Sequence, residues 1–473
     1  MSTSPAQPDL GSVRQGLRMA KPPDPAALAA ERQQLVAAEH APFLTRARTY
    51  LRLIGPGYMQ SAMTLGAGTA SAALFAGAAY GYELLWVAPL AMLLGIVMLA
   101  AVAHQTLSTG ERPMHAMATH AGRFFAFAWA AGSLVASVVW HLPQYNLAAN
   151  AMVDACDAVG IGGVPPMACS LVVLGIAIAL SMLYGRSPGL VRAYERTLKW
   201  MVWAIVFSLL WVVLSTGTDW GAVLRGFVPG IPQQRGNTDA YELIASGLAA
   251  AVGVNMVFLF PYSLLARGWG REHRRLARWD LGLGMLVPYV LSTGLMAIAA
   301  ANTIHRSGTE ITPKAAVADC ARVLGDVMGP LAGRLVFDLG MLSMAVSTIT
   351  LHMLVCSFVA MEFFGCELGS RKQRLWSLLP APGCLAPLVW GEYAVWLAVP
   401  TSVFCGLLLP VTWLGFLVLQ GKRSYLGTDR PGGVAGLAWR LAMLAITLGL
   451  FAFLAWTALN SVPRYLESFA SKD

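Results

Sequence analysis

The sequence predicts an all-α polytopic membrane protein, on three observations. Hydrophobic residues fill 57% of the 473 positions and charged ones only 12%, against about 25% charged in an ordinary soluble domain. Mean hydropathy is +0.60, so apolar side chains have replaced the missing charge. The apolar residues also lie in long runs. Residues 84–107, 198–216 and 335–361 each approach or exceed the roughly 18–20 needed to cross a bilayer as helix. A backbone polar group exposed to hydrocarbon costs several kcal/mol, so a span is a helix or part of a closed barrel. Barrel strands alternate apolar and polar residues, and these runs do not. A disordered chain, a fibrous protein and a typical soluble enzyme are excluded.

The elements follow in order. Residues 1–45 are rich in Ala, Pro and Arg and have no apolar run. They read as a cytosolic tail and not as a secretory signal, whose apolar region would sit near Met1. An amphipathic helix is expected over 24–39, with Asp24 as N-cap and Pro25 at the first helical position. Eleven spans follow, at 51–79, 84–107, 124–156, 166–184, 198–216, 243–265, 281–304, 335–364, 375–390, 394–419 and 434–459. The transport core is expected over 46–426, with the last helix and a C-terminal tail in 427–473. The ninth span carries Pro380, Pro382, Gly383 and Pro387. Two loops are long: 219–242 is polar, and 307–334 is patterned as a surface helix leading into span 8.

Orientation comes from Lys and Arg, which favour the cytoplasmic side. With the N-terminus inside, 25 of the 33 basic residues fall on inside segments and 8 outside. The loop holding Arg267, Arg271, Arg274, Arg275 and Arg278 is therefore expected in the cytosol, and the protein in the cytoplasmic membrane. The formal charge of +9 reads as this basic face and not as a nucleic-acid surface. Seven scattered cysteines have no CxxC spacing and read as small buried hydrophobes. No nucleophile–base pair or cofactor loop is visible, so neither an enzyme nor a cofactor is expected.

Three spans are interrupted. Span 1 contains Thr64-Leu65-Gly66-Ala67-Gly68-Thr69, span 6 contains Gly253-Val254-Asn255 and Pro261-Tyr262-Ser263, and span 10 contains Gly406 and Pro410. Breaks in spans 1 and 6 have the spacing of a five-plus-five inverted repeat. In such repeats the substrate lies between two unwound helices at the midplane. Span 3 places His141, Gln144, Tyr145 and Asn146 around Pro143. Polar residues in a span are expensive and face the interior or a cavity, so these either line the site or hydrogen-bond to neighbouring helices. His352 in span 8 reads as packed.

Gly55-Pro56-Gly57 opens span 1, and Gly81-Tyr82-Glu83-Leu84-Leu85-Trp86 opens span 2. Ser108-Thr109-Gly110, Met328-Gly329-Pro330-Leu331-Ala332, Leu339-Gly340, Ser347-Thr348-Ile349-Thr350, Met361-Glu362 and Leu409-Pro410 follow. In these segments the chain resembles the Nramp family of divalent-metal transporters, from about residue 50 to 426. The resemblance implies a LeuT-type inverted-repeat fold of eleven helices. It also implies alternating-access transport of a divalent metal. The family's metal-binding Asp-Pro-Gly-Asn falls on Gly66, Ala67, Gly68 and Thr69. Its span 6 Met falls on Val257, ahead of Phe258-Leu259 in place of Pro-His, and its span 10 Gln on Leu408. Its span 3 Asp and Glu, tied to proton movement, fall on Asn146 and Ala149.

The substrate-binding candidates are therefore Gly66, Gly68, Thr69, Asn255 and Val257, with His141, Gln144 and Asn146 lining the cavity. No carboxylate is expected at the midplane: Asp338 and Glu362 lie near the ends of span 8, Asp280 at an inner mouth and Glu392 in an outer loop. A dehydrated transition metal needs anionic or soft ligands, whereas Mg2+ binds through retained water. Hydrated Mg2+ thus suits this residue set best. A second reading stays open, because bare N–H groups at the break favour anions and would suit an amino acid or organic anion. A third is a receptor or scaffold without transport. The expected partners are the bilayer and a small ion or solute, without nucleic acid. His141 is the titratable group expected beside the cavity, and proton symport is not expected.

Overall fold

The structure is a computed structural model that describes residues 17–19, 22–184, 188–234, 238–308, 329–393 and 395–470. The described residues are almost entirely helical, and a bridge between extended segments joins Met19 to Leu368. Among the described residues, nine helices are long and apolar enough to cross a membrane, and a bent helix pair makes a tenth. The bent pair is span 1, Pro56–Thr64 and Ala67–Tyr80, whose axes differ by 54°. The others are span 2 (Val87–Thr109), span 3 (Arg123–Ala158), span 4 (Pro166–Leu183), span 5 (Gly189–Ser215), span 6 (Ala240–Ala266), span 7 (Arg271–His305), span 8 (Leu331–Phe364), span 10 (Ala398–Gly421) and span 11 (Gly433–Ser461).

The expected ninth crossing is not a continuous helix. It is a chain of short pieces, Arg371–Trp376, Ala381–Leu385 and Ala386–Trp390. Proline lacks an N–H and clashes with the preceding turn, and Pro380, Pro382 and Pro387 fall within this stretch. The expected surface helix over 307–334 lies mostly in residues 309–328, outside the described residues.

The spans differ in what covers them. The apolar window of span 8 is 100% buried inside the protein, against 28% for span 4 and 22% for span 11. Span 8 packs along span 3 and against spans 1 and 5 at the centre, while Leu171 and Ile176 on span 4 and Leu437 and Leu448 on span 11 face outward. Span 6 breaks at Val252 and Gly253, both extended, between Ala240–Ala251 and Val254–Ala266. The two broken spans cross at the centre, as a five-plus-five repeat requires.

The N-terminal helix forms over Pro25–Glu39, with the Asp24 side chain accepting from the Ala26 N–H at 2.9 Å. It lies on the segment after span 6, where Trp269 Nε1 donates to Glu31 at 2.9 Å. On the opposite face the 219–242 segment opens with a helix, Trp220–Gly226. It folds over the start of span 2, because the Trp86 backbone N–H donates to the Gly226 carbonyl at 3.0 Å.

Candidate functional site

The two breaks bring four helix ends together. Pro56–Thr64 and Ala240–Ala251 present C-termini, and Ala67–Tyr80 and Val254–Ala266 present N-termini. Helix ends leave unpaired backbone groups, and several of those here have partners. The Thr69 hydroxyl donates to the Thr64 carbonyl at 2.6 Å. The Thr348 hydroxyl of span 8 sits against the carbonyls of Ala62 (3.2 Å), Met63 (3.3 Å) and Leu65 (3.5 Å). The Gly66 N–H donates to the Thr64 carbonyl at 2.9 Å, and the Ala67 N–H to Gln144 Oε1 at 3.0 Å. Two of the donors that would attract an anion are thus already used.

Between these ends lies a cavity of about 20 Å3, lined by residues of spans 1, 3, 6 and 8. A buried water needs about 10–15 Å3 by the same measure, so the space holds about one water-sized particle. Gly66 is required by close approach. A Cβ there would lie 2.6 Å from both Gln144 Nε2 and Thr348 Oγ1. Gly68 has the same reason, with a Trp140 ring carbon at 2.2 Å from its would-be Cβ.

Gly66, Gly68, Thr69, Gln144 and Asn255 all line the cavity. Val257 does not. It is fully buried in the core, and Met256 takes the lining position, its sulfur accepting from the Thr64 hydroxyl at 3.3 Å. A helix turns about 100° per residue, so a shift of one position in the sequence comparison moves a side chain off the face. Leu408 sits between the two helices of span 10, against Gly132, away from the lining. Asn146 donates to the Trp390 carbonyl at 2.6 Å and ties span 3 to the broken ninth segment.

His141 stands one layer back. Its Nδ1 is 2.6 Å from the Ser137 carbonyl, and its ring centroid is 5.5 Å from that of His352. His352, read from sequence as packed, lines the cavity. It was obscured because a lone histidine in an apolar run gives no period that distinguishes cavity from core. Met256, Trp140 and Thr348 were likewise missed as lining residues. The adjacent hydroxyls in Ser347-Thr348, in mid-span, were the available signal for Thr348.

The acidic residues lie outside this centre. Asp280, expected at a mouth, is fully buried and accepts from the N–H groups of Gly55 (3.1 Å) and Gly57 (2.6 Å). Glu362 accepts from the Tyr262 hydroxyl at 2.8 Å and pairs with Arg112 at 3.1 Å. Arg267 pairs with Glu195 at 2.8 Å and donates to the Leu53 carbonyl at 2.9 Å. These contacts tie together the ends of spans 1, 5, 6, 7 and 8 on the face that carries the N-terminal helix. At the other end, Arg334 pairs with Asp154 beside buried Asp338. Among the described residues, no group of three or more His, Cys, Asp or Glu side chains is placed to hold a metal ion.

Two broken helices meeting around a small cavity of mixed polar and apolar lining, within a bundle of apolar spans, define a membrane transporter of the LeuT type. Residues 57–456 match the family model for natural resistance-associated macrophage protein-like proteins, and the chain belongs to the Nramp family. A similar curated relative is the divalent metal cation transporter MntH of Burkholderia ambifaria, 24% identical over 423 residues, covering 87% of this chain and 90% of the relative. A manganese transporter of Eremococcus coleocola, solved with an aromatic bis-isothiourea compound, superposes with a TM-score of 0.66 at 15% identity, covering 87% of this chain and 95% of that one. MhsT in complex with L-phenylalanine superposes with a TM-score of 0.55 at 14% identity, covering 85% and 98%. At these identities the structural likenesses show the fold.

Proposed function

We propose that the protein carries a divalent cation by alternating access, with Mg2+ preferred over Mn2+ and Fe2+. Family membership supports a divalent cation, as does the similarity to divalent metal cation transporters such as the Burkholderia protein. The preference rests on one observation. The cavity is lined by neutral groups, among them Thr64, Thr69, Gln144, Asn255 and Thr348, without a carboxylate. Uncharged oxygen and nitrogen groups do not replace the hydration of a stripped divalent ion. They suit an ion that keeps water, as Mg2+ does. At about 20 Å3 the cavity is too small for a full hydration shell. The ion therefore enters with its waters when either half of span 1 swings away from spans 3 and 8.

An organic solute fits less well. A phenylalanine-sized molecule needs several times this volume, and the Gly66 and Ala67 N–H groups are already occupied. The driving force under this reading is the ion's own gradient or the membrane potential, since Gly66, Asn146 and Ala149 carry no titratable group where the family's carboxylates fall. The test is uptake by proteoliposomes offered Mg2+, Mn2+, Ca2+ and amino acids, with internal pH recorded. Mg2+ uptake without substrate-dependent acidification is expected. Amino-acid uptake without cation uptake would replace the reading, and micromolar Mn2+ affinity by calorimetry would overturn the preference.

A further inference from the structure

We propose that the second half of span 1, Ala67–Tyr80, leans back into a recess behind it to admit the cation, and that Gly294 of span 7 keeps this recess open. The identity of the substrate rests on the divalent-cation reading above.

The two sides of this half-helix are packed differently. Its front is held. A Cβ at Gly68 would meet a Trp140 ring carbon at 2.2 Å and Ser402 Oγ at 2.9 Å. The Ser71 hydroxyl donates to the Val395 carbonyl at 2.5 Å, and Phe75 meets Trp396 edge to face with ring centroids 4.8 Å apart. Behind it lies a second cavity, of about 40 Å3, between spans 1, 2, 6 and 7. Small residues supply much of its wall: Ala72, Ala73 and Ala76 of span 1, Gly247 of span 6, and Gly294 and Ala297 of span 7. Small residues let helix backbones approach closely. Thr69 belongs to the linings of both this cavity and the central one. The first turn of the half-helix is therefore a partition between them. Protein interiors are close-packed and a void forfeits contacts, so a void against the wall of a transport site calls for a reason.

Movement supplies one. At Gly77 the two helices already touch, because a Cβ there would lie 2.2 Å from the Ala297 carbonyl oxygen. That contact is a natural pivot. Gly66 lies eleven positions before it, about 16 Å along the helix axis. The break at Leu65 and Gly66 frees this far end from the first half-helix. A lean of about 5° carries it back by about 1.4 Å. Gly66 then moves away from Gln144 and Thr348, whose polar atoms stand 2.6 Å from its would-be Cβ. Displacing one helical turn by that distance adds roughly 40 Å3 to a central cavity of about 20 Å3. That is room for about three more water-sized particles, so an entering ion keeps part of its hydration shell.

Gly294 makes the proposal testable. It lines the recess, and a Cβ at this position would meet no atom within 4 Å. A larger side chain there fills the recess without a clash. Gly449 on span 11 is the control. It also has no atom within 4 Å of its would-be Cβ, and it is exposed on the outside of the bundle.

The experiment compares wild type, Gly294→Ala, Gly294→Leu and Gly449→Leu in three measurements. These are Mg2+ uptake by proteoliposomes, thermal unfolding in detergent, and hydrogen–deuterium exchange over residues 66–80 without added cation. Gly294→Leu is expected to raise the unfolding temperature by about 2 °C and to lower uptake by about tenfold, with Gly294→Ala between it and wild type. It is also expected to slow exchange over residues 66–80. Gly449→Leu gains the same helix propensity and should leave uptake and that exchange unchanged. Full uptake by a stably folded Gly294→Leu, a lowered unfolding temperature in that variant, or unaltered exchange over residues 66–80 would each overturn the proposal. Absence of divalent uptake in the wild type defeats the divalent-cation reading alone, because the exchange and unfolding measurements judge the recess without a substrate.

Discussion

Asp280 Oδ2 accepts a 2.6 Å hydrogen bond from the backbone N–H of Gly57, across the junction between spans 7 and 1. Its Oδ1 accepts from Gly55 at 3.1 Å. One buried carboxylate thus caps the N-terminus of Pro56–Thr64, where backbone donors lack intrahelical partners and negative charge is favoured. The half-helix it caps is buried along its whole length and forms one side of the cavity.

A methyl group at Gly57 cannot be accommodated, because its Cβ would lie 2.2 Å from the Asp280 carbonyl oxygen. Gly57→Ala should destabilise the protein by about 2 kcal/mol through overpacking. Asp280→Asn should cost a similar amount by removing a charge-assisted acceptor from two N–H groups. Thermal unfolding in detergent checks both. The double variant should cost less than the sum, because the two changes disrupt one contact.

Restoring a carboxylate at the break should not create a Mn2+ transporter. A side chain at Gly66 starts 2.6 Å from both Gln144 Nε2 and Thr348 Oγ1, so Gly66→Asp is expected to block the site. Mg2+ uptake should fall at least about tenfold, the effect of roughly 1.4 kcal/mol of misfit. Gly66→Asp combined with Gln144→Ala relieves one clash and should recover part of the uptake. Full uptake by Gly66→Asp alone would show that span 8 yields more readily than these contacts allow.

Asp429 pairs with Arg271 at 2.6 Å and Arg274 at 3.1 Å in the loop after span 10. Burial pushes its carboxyl upward, but the two guanidinium groups outweigh this and hold it below the usual carboxylate range. A depressed folded value stabilises the protein above the unfolded value of about 3.9 and is lost as pH falls through the folded one. Asp429→Asn should therefore cost about 1 kcal/mol equally at pH 7 and pH 5, with a smaller difference in 1 M NaCl. Unfolding curves at both pH values check this. A difference that is already halved at pH 5 would assign the effect to another group, with His104 beside the Asp429 carbonyl the first to examine.

From the charge bias of 25 basic residues to 8, the face carrying Arg271 is expected in the cytosol. Arg271 is exposed at the rim of that face. In intact cells, Arg271→Cys should resist an impermeant thiol reagent and react only after permeabilisation. Labelling from outside would invert the topology.

Much of the fold was legible because a membrane imposes length and apolarity on every crossing. Both helix breaks were visible as glycine-containing interruptions in apolar runs, and Asp24-Pro25 marked the start of the N-terminal helix. The ninth segment was misleading because composition alone does not register how three prolines divide a run. The site was legible in part. Gly66, Gly68, Thr69, Gln144 and Asn255 meet around one cavity, as expected of residues near two breaks. Val257 and Met256 could not be separated, since that requires helical phase and not spacing. Asp280 looked like a mouth residue because sequence does not show that span 7 packs its first turns against the start of span 1.

The apolar window of span 8 shares its character with those of spans 4 and 11 and yet is enclosed entirely by protein. For spans 4 and 11, solubility in oil is the main demand, and one branched aliphatic residue serves nearly as well as another. Every side chain of the span 8 window instead fits against protein, where a single methylene is felt. A saturation scan should therefore find that span 11 accepts Leu, Ile, Val and Phe interchangeably, while span 8 accepts little beyond its own residues. Hydropathy gives the two spans the same description, but tolerance to exchange should separate a wall of the machine from its rim.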